Sequence, residues 1–220
     1  MRSPRPEVAP AQPIRPTDPD DLVAPSQGLL RWAGVAAVAV LWATVGIGMA
    51  RSGLRLGDER PISYLGTDAR TVLLFRVGLV AAAALLSGFA WAVSRRLRRA
   101  TGFLTVFLLG MACQAVVAVV PLDGTGAAKT VHLTTGIALG LSLPLLMWRF
   151  AAAQAPGRWR GRSYLLLWAE VAGCVAGLAL SRAGRATVAE AVPACLFHLW
   201  IIVVTLRWPS WRQELTESER

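Results

Sequence analysis

The sequence predicts an all-α protein, a polytopic transmembrane helical bundle of six spans with both termini in the cytoplasm. Three observations carry that expectation. Hydrophobic residues make up 55% of the 220 and charged residues only 16%, and the charges gather in short blocks between long uncharged runs. Two such runs, Phe103 to Val120 and residues 131 to 148, flank a break containing Pro121, Asp123, Gly124 and Gly126. Each run is about eighteen residues, long enough to cross a hydrocarbon core, and the break between them is turn chemistry. The basic residues, nearly all arginine, sit at the ends of apolar runs, where they set topology.

Residues 1–28 read as a disordered cytoplasmic tail: proline-rich, with Asp18, Asp20 and Asp21 and almost no large apolar side chain. Such a segment cannot bury enough surface to offset its ordering entropy. Its apolar run begins too late for a signal peptide, and no clear cleavage site follows. The membrane domain is expected over residues 29–207. Its spans fall at about 30–50, 71–93, 103–120, 131–148, 163–181 and 188–206, with a second cytoplasmic tail at 208–220. A loop of about twenty residues joins the first two spans and carries most of the polar residues on its side. Arg95, Arg96, Arg98 and Arg99 form the densest basic block, between spans two and three. With that block inside, cytoplasmic segments hold about twice the basic residues of the opposite loops. Trp32, Trp91, Trp148, Trp159, Trp208 and Trp211 fall at the same boundaries, as an aromatic belt would. The expected location is the inner (plasma) membrane, as a multi-pass protein.

The net charge of +10 does not indicate nucleic acid, because the arginines mark span ends and form no basic face. Cys113, Cys174 and Cys195 lie within apolar runs without disulfide or metal spacing. No Walker, G-x-S-x-G or HExxH pattern occurs. Two histidines are too few for an intramembrane zinc hydrolase, so no metal and no cofactor are expected.

Polar residues inside or beside spans are the candidate sites, since ionisable groups in a membrane face protein or water. On the outer side, Tyr64, Asp68, Arg76, Gln114, Asp123 and His132 are candidates for one ligand-binding cluster. Within it Asp123 and His132 flank the turn as a candidate acid–base pair. Arg76 either snorkels to the interface or pairs with Asp68 or Asp123. In the fourth span His132, Gly136, Gly140, Pro144 and Trp148 recur every four residues, and the Gly136/Gly140 and Gly173/Gly177 patterns permit close helix approach. Glu170 and His198 lie near mid-membrane on consecutive antiparallel spans, at depths that match within about a turn. They are expected to pair, or each to find a hydroxyl or backbone partner inside the bundle. A structural pair, a proton relay and a ligand contact all remain open for them.

Two stretches together resemble a known family. One is Pro61-Ile62-Ser63-Tyr64-Leu65-Gly66-Thr67-Asp68 with Phe75 shortly after. The other is Val119-Val120-Pro121-Leu122-Asp123, a small-residue loop, then His132. This combination resembles the bacterial six-span family labelled domain of unknown function 998, itself distantly like the FRAG/DRAM/SFK group, over about residues 30 to 206. The resemblance implies a membrane-embedded helical fold and no established reaction. Members often show an acidic residue after Ile-Ser, where this chain has Tyr64.

Function is therefore expected to be non-enzymatic, binding or organising membrane lipids or scaffolding another membrane protein. An intramembrane enzyme acting on a lipid headgroup through Asp123 and His132 would need more convergent polar groups than these. A small proton-coupled transporter using Glu170 and His198 would be expected to show repeated halves, and none is evident. Oligomeric state is left open.

Overall fold

A computed structural model describes residues 25–97, 102–122 and 126–207. The expectations for Arg98, Arg99, Asp123, the N-terminal segment before residue 25 and the tail at 208–220 lie outside those residues. Six α-helices follow in order: α1 Pro25–Ser52, α2 Val72–Ser94, α3 Phe103–Val119, α4 Ala127–Ala153, α5 Arg158–Arg182 and α6 Ala186–Leu206. A 3-10 turn over Ile62–Gly66 interrupts the α1–α2 loop. Each expected apolar run falls on one of these helices. α1 starts at Pro25, within the stretch assigned to the tail, and α5 starts at Arg158, within the basic connector.

Helix ends are set by local chemistry. Gly53 at φ 71° follows α1, and such left-handed geometry costs glycine nothing. At the end of α5 the Arg185 N–H donates to Leu180 C=O at 2.9 Å and Gly184 N–H to Ser181 C=O at 3.1 Å. That reciprocal closure, with Gly184 at φ 74°, satisfies carbonyls that the helix leaves open. It turns the chain into α6 within three residues.

Each helix packs on the next in sequence, and α1 meets α6, so the six form a closed ring. Short connections after α2 make the later neighbours antiparallel, and the longer α1–α2 loop returns the chain by way of the 3-10 turn. Two buried clusters fill the ring. At the end where α1, α3 and α5 begin, Phe89, Phe103, Phe107, Phe150, Phe197 and Trp200 pack together, with Phe150 edge-on to Trp200 at 5.2 Å. Toward the opposite end, Val45, Leu54, Phe75, Leu79, Ala118 and Ala191 close around Ile62 and Leu65 of the 3-10 turn. The turn therefore plugs that end, touching α1, α2, α3 and α6.

The outside of the ring is apolar too. Leu73, Leu141, Leu165, Trp168, Ile137 and Val175 are each more than 60% exposed. A helix that is apolar all round belongs in a core or in lipid. Five helices are long and apolar enough to cross a membrane, while α3 is an apolar helix of 17 residues, about 25 Å long.

Candidate functional site

The plugged end is where the polar groups gather. The α1–α2 loop is tied to the start of α6 at two points. Asp58 C=O accepts the Thr187 N–H at 3.2 Å and the Thr187 hydroxyl at 3.2 Å; that hydroxyl also reaches Arg60 C=O. The first of these bonds satisfies an orphan amide of the α6 first turn. One turn further on, the Glu190 carboxylate accepts the Ser63 N–H at 3.0 Å and the Ser63 hydroxyl at 3.1 Å. Charge-assisted bonds of this kind are stronger than neutral ones. Ser63 is buried, yet Glu190 keeps exposed surface. His132, on α4 across the ring, lies within electrostatic range of Glu190, as does the Ile62 N–H.

Glu190 lies on the side of α6 that meets the plug, within about 80° of Thr187, Ala194 and His198 at 100° per residue; Thr187 and His198 are buried. The carboxyl group thus sits against the plug, held by two donors from one serine, with surface left for a further partner.

The outer-side residues singled out in the sequence share this end of the bundle but do not meet in one cluster. His132 is buried and its Nδ1–H donates to Val120 C=O at 2.7 Å, which closes the α3–α4 turn. Gln114 is buried between helices and donates to Leu79 C=O at 3.0 Å, a tie from α3 to α2. Tyr64 packs under the Arg60 guanidinium, 4.8 Å from its ring centre. Asp68 accepts the Arg70 N–H at 2.8 Å and shapes the start of α2. Arg76 lies one turn into α2 with its Nε buried and unpartnered. Among the described residues, no side chain of these five bonds to another of the set; each is engaged with its own neighbours or, for Arg76 Nε, with none. Asp123 is outside the described residues, so the pairing expected with His132 is not placed.

Glu170 and His198 both lie inside the bundle, at 0% and 5% exposure, but no hydrogen bond joins them among the described residues. His198 Nδ1 accepts the Trp42 indole N–H at 3.1 Å, the rings meeting edge-on at 5.8 Å. Glu170 Oε1 accepts the Cys174 thiol at 3.6 Å, and Oε2 is buried without a partner. The expected hydroxyl or backbone partners are thus replaced by a thiol and an indole. The expected match in depth still fits the α5–α6 contacts, since a side chain at Gly173 would meet Leu196, and one at Gly177 would meet Ala189 and Pro193. Rotation separates the pair: Leu196 faces α5, and His198, two residues on, is turned about 200° from it, toward α1.

The two glycine patterns also differ. A side chain at Gly177 would lie 2.6 Å from Ala189 C=O, whereas Gly136 and Gly140 have open space where a Cβ would stand. The first pair is a closed helix contact and the second is not.

Glu190, Trp42 and Cys174 were not picked out by the sequence reading. Glu190 has a signal in the sequence: with Ala194 and His198 it continues, at four-residue spacing, the small and polar stripe of α6. A carboxylate so near a span end reads as a surface group, which hides it. Among the described residues no three His, Cys, Asp or Glu side chains gather to hold a metal ion.

A ring of helices that is apolar inside and out, with polar groups at its ends and in a few internal bonds, defines a multi-pass helical membrane protein. Within that class, the family model described as "Protein of unknown function (DUF998)" matches residues 35–207, and the chain belongs to that family. The resemblance carried by Pro61–Asp68 and Val119–His132 is to this same family. No curated protein and no solved structure matches the chain.

Proposed function

We propose that this is a non-enzymatic protein of the plasma membrane that binds an amine-bearing lipid headgroup at the plugged end of its ring. The observation that carries the reading is Glu190: its carboxylate is fixed by Ser63 and still has exposed surface. A membrane-embedded anion needs a cationic or donor partner, and an ammonium headgroup supplies both charge and N–H donors. His132 lines the same end as a second polar contact. The bonds of Gln114 to Leu79 and of His198 to Trp42 are ties between helices, which leaves few groups for a reaction centre.

In this reading all six helices span. α3 is the short one, and about 25 Å suits a helix wedged between two longer neighbours. Both termini lie on the cytoplasmic side. The arginine–aromatic pairs favour that orientation: Arg31 over Trp32, Arg95 over Trp91, Arg149 over Trp148, Arg160 over Tyr164 and Arg207 over Trp159 lie at one end, against Arg60 over Tyr64 at the other. Positive charge with an aromatic belt marks a cytoplasmic boundary. The plug then faces the outer leaflet.

The test is mass spectrometry of lipids that copurify with the protein from native membranes. Wild type is expected to retain an ethanolamine- or other amine-bearing lipid, and Glu190→Gln to lose it while folding normally. Equal retention by both proteins would refute the site.

A further inference from the structure

A second lipid contact is built on the outer surface of α2, away from the Glu190 face and independent of that reading. Arg76, Val77, Val80, Ala81 and Ala84 form a shallow, open track on the outer face of α2. Leu73 continues the same face outward and is 73% exposed. At 100° per residue, Leu73, Val77, Val80 and Ala84 share one stripe, with Arg76 at its edge. The lining of this track is wholly apolar, with Arg76 contributing its stem, and no other helix lines it.

The guanidinium is the unusual part. A charged group one turn inside a span is retained only where something meets its charge. The carboxylates that bond elsewhere are Asp58 with Arg60, Asp68 with the Arg70 amide, Glu170 with Cys174 and Glu190 with Ser63. Arg76 makes no ion pair among the described residues, and its Nε is buried without an acceptor. The protein supplies an apolar track and an unanswered cation above it, which is the chemical complement of a phospholipid.

We propose that Arg76 holds the phosphate of a phospholipid in the leaflet at the plugged end, with one acyl chain along Val77, Val80 and Ala84. Arginine's planar fork gives a phosphate two parallel hydrogen bonds, which lysine's point charge does not. Arg76 is four residues from the start of α2 at Val72, about 6 Å along the axis. Its long stem spans that depth and delivers the guanidinium to the headgroup level.

The experiment is native mass spectrometry of the full chain released from nanodiscs of phosphatidylglycerol, or of a diglucosyl diacylglycerol that lacks phosphate. Wild type is expected to keep one phosphatidylglycerol and no glycolipid. Arg76→Leu should lose it, with occupancy falling at least tenfold, and Arg76→Lys should keep part. Val80→Trp fills the track without touching the charge and should lose it too, while Glu190→Gln should keep it. Inorganic phosphate in excess should not displace the lipid; displacement would mean a bare anion site, and the acyl-chain part of the proposal would fall. Equal retention by wild type, Arg76→Leu and Val80→Trp, or retention of the glycolipid, would overturn the whole. Val80 and Glu190 keep exposed surface and Arg76 is half-buried at the edge of the outer face of α2, so all variants are expected to fold, and helical circular dichroism checks this.

Discussion

Single polar residues in this protein divide into those whose bonds are complete and those with something left over. Gln114 and His132 are buried and bonded to backbone carbonyls, and those bonds hold neighbouring helices together. Glu170 is different: one carboxylate oxygen takes a thiol and the other is buried without any partner. A buried polar atom left unsatisfied costs about 1–3 kcal/mol, and replacing such a group by an apolar one of similar shape is often neutral or stabilising. Glu170→Leu is therefore expected to leave the melting temperature of the purified protein unchanged or to raise it. A fall of several degrees would show that the free oxygen has a partner that matters. None of this was legible from depth alone. The sequence places Glu170 and His198 at one level, but the partner of each depends on helix rotation, and Trp42 lies 156 positions from His198 in the chain.

At the scale of elements, the apolar runs carry nearly all the information about the helices. Uncharged stretches of about eighteen residues leave little choice but helix in a membrane, since every backbone group must be satisfied within the segment. Less legible was the α1–α2 loop, which reads as an exposed polar linker and instead drives Ile62 and Leu65 into the bundle. Its anchors, Thr187 and Glu190 on α6, are more than 120 positions away. The glycine pairs give a test at this scale. Gly177→Val should push α5 from α6, because its Cβ would lie 2.6 Å from the Ala189 carbonyl, while Gly136→Val meets open space. Overpacking of this sort costs about 1–3 kcal/mol. In thermal melts of the two variants, the Gly177 variant is expected to be destabilised and the Gly136 variant to match wild type. The reverse order would contradict the packing described.

For the whole molecule, the ring has two unlike ends. One is aromatic and arginine-rich, and the other is closed by the 3-10 plug and holds Glu190. That difference was half visible in the sequence, where arginine counts give an orientation but nothing marks a plug. Reporters inserted at Gln154 and at Gly184, in the connections at opposite ends of α5, test the orientation. The Gln154 fusion is expected to read cytoplasmic and the Gly184 fusion external. Both reading on the same side would mean that α5 does not span.

The central claim is that Glu190 is a headgroup site, and ligand-dependent stability tests it most directly. A ligand that binds only the folded protein at one hundred times its dissociation constant stabilises by about 2.7 kcal/mol. The measurement is the shift in thermal midpoint of detergent-purified protein on adding a short-chain phosphatidylethanolamine. Measured in an Arg76→Leu background, which removes the other phosphate contact, the protein and its Glu170→Gln variant are expected to shift upward by the same several degrees, while Glu190→Gln and Ser63→Ala shift little or not at all. An equal upward shift in Glu190→Gln, or no shift in the Arg76→Leu parent, would contradict the account.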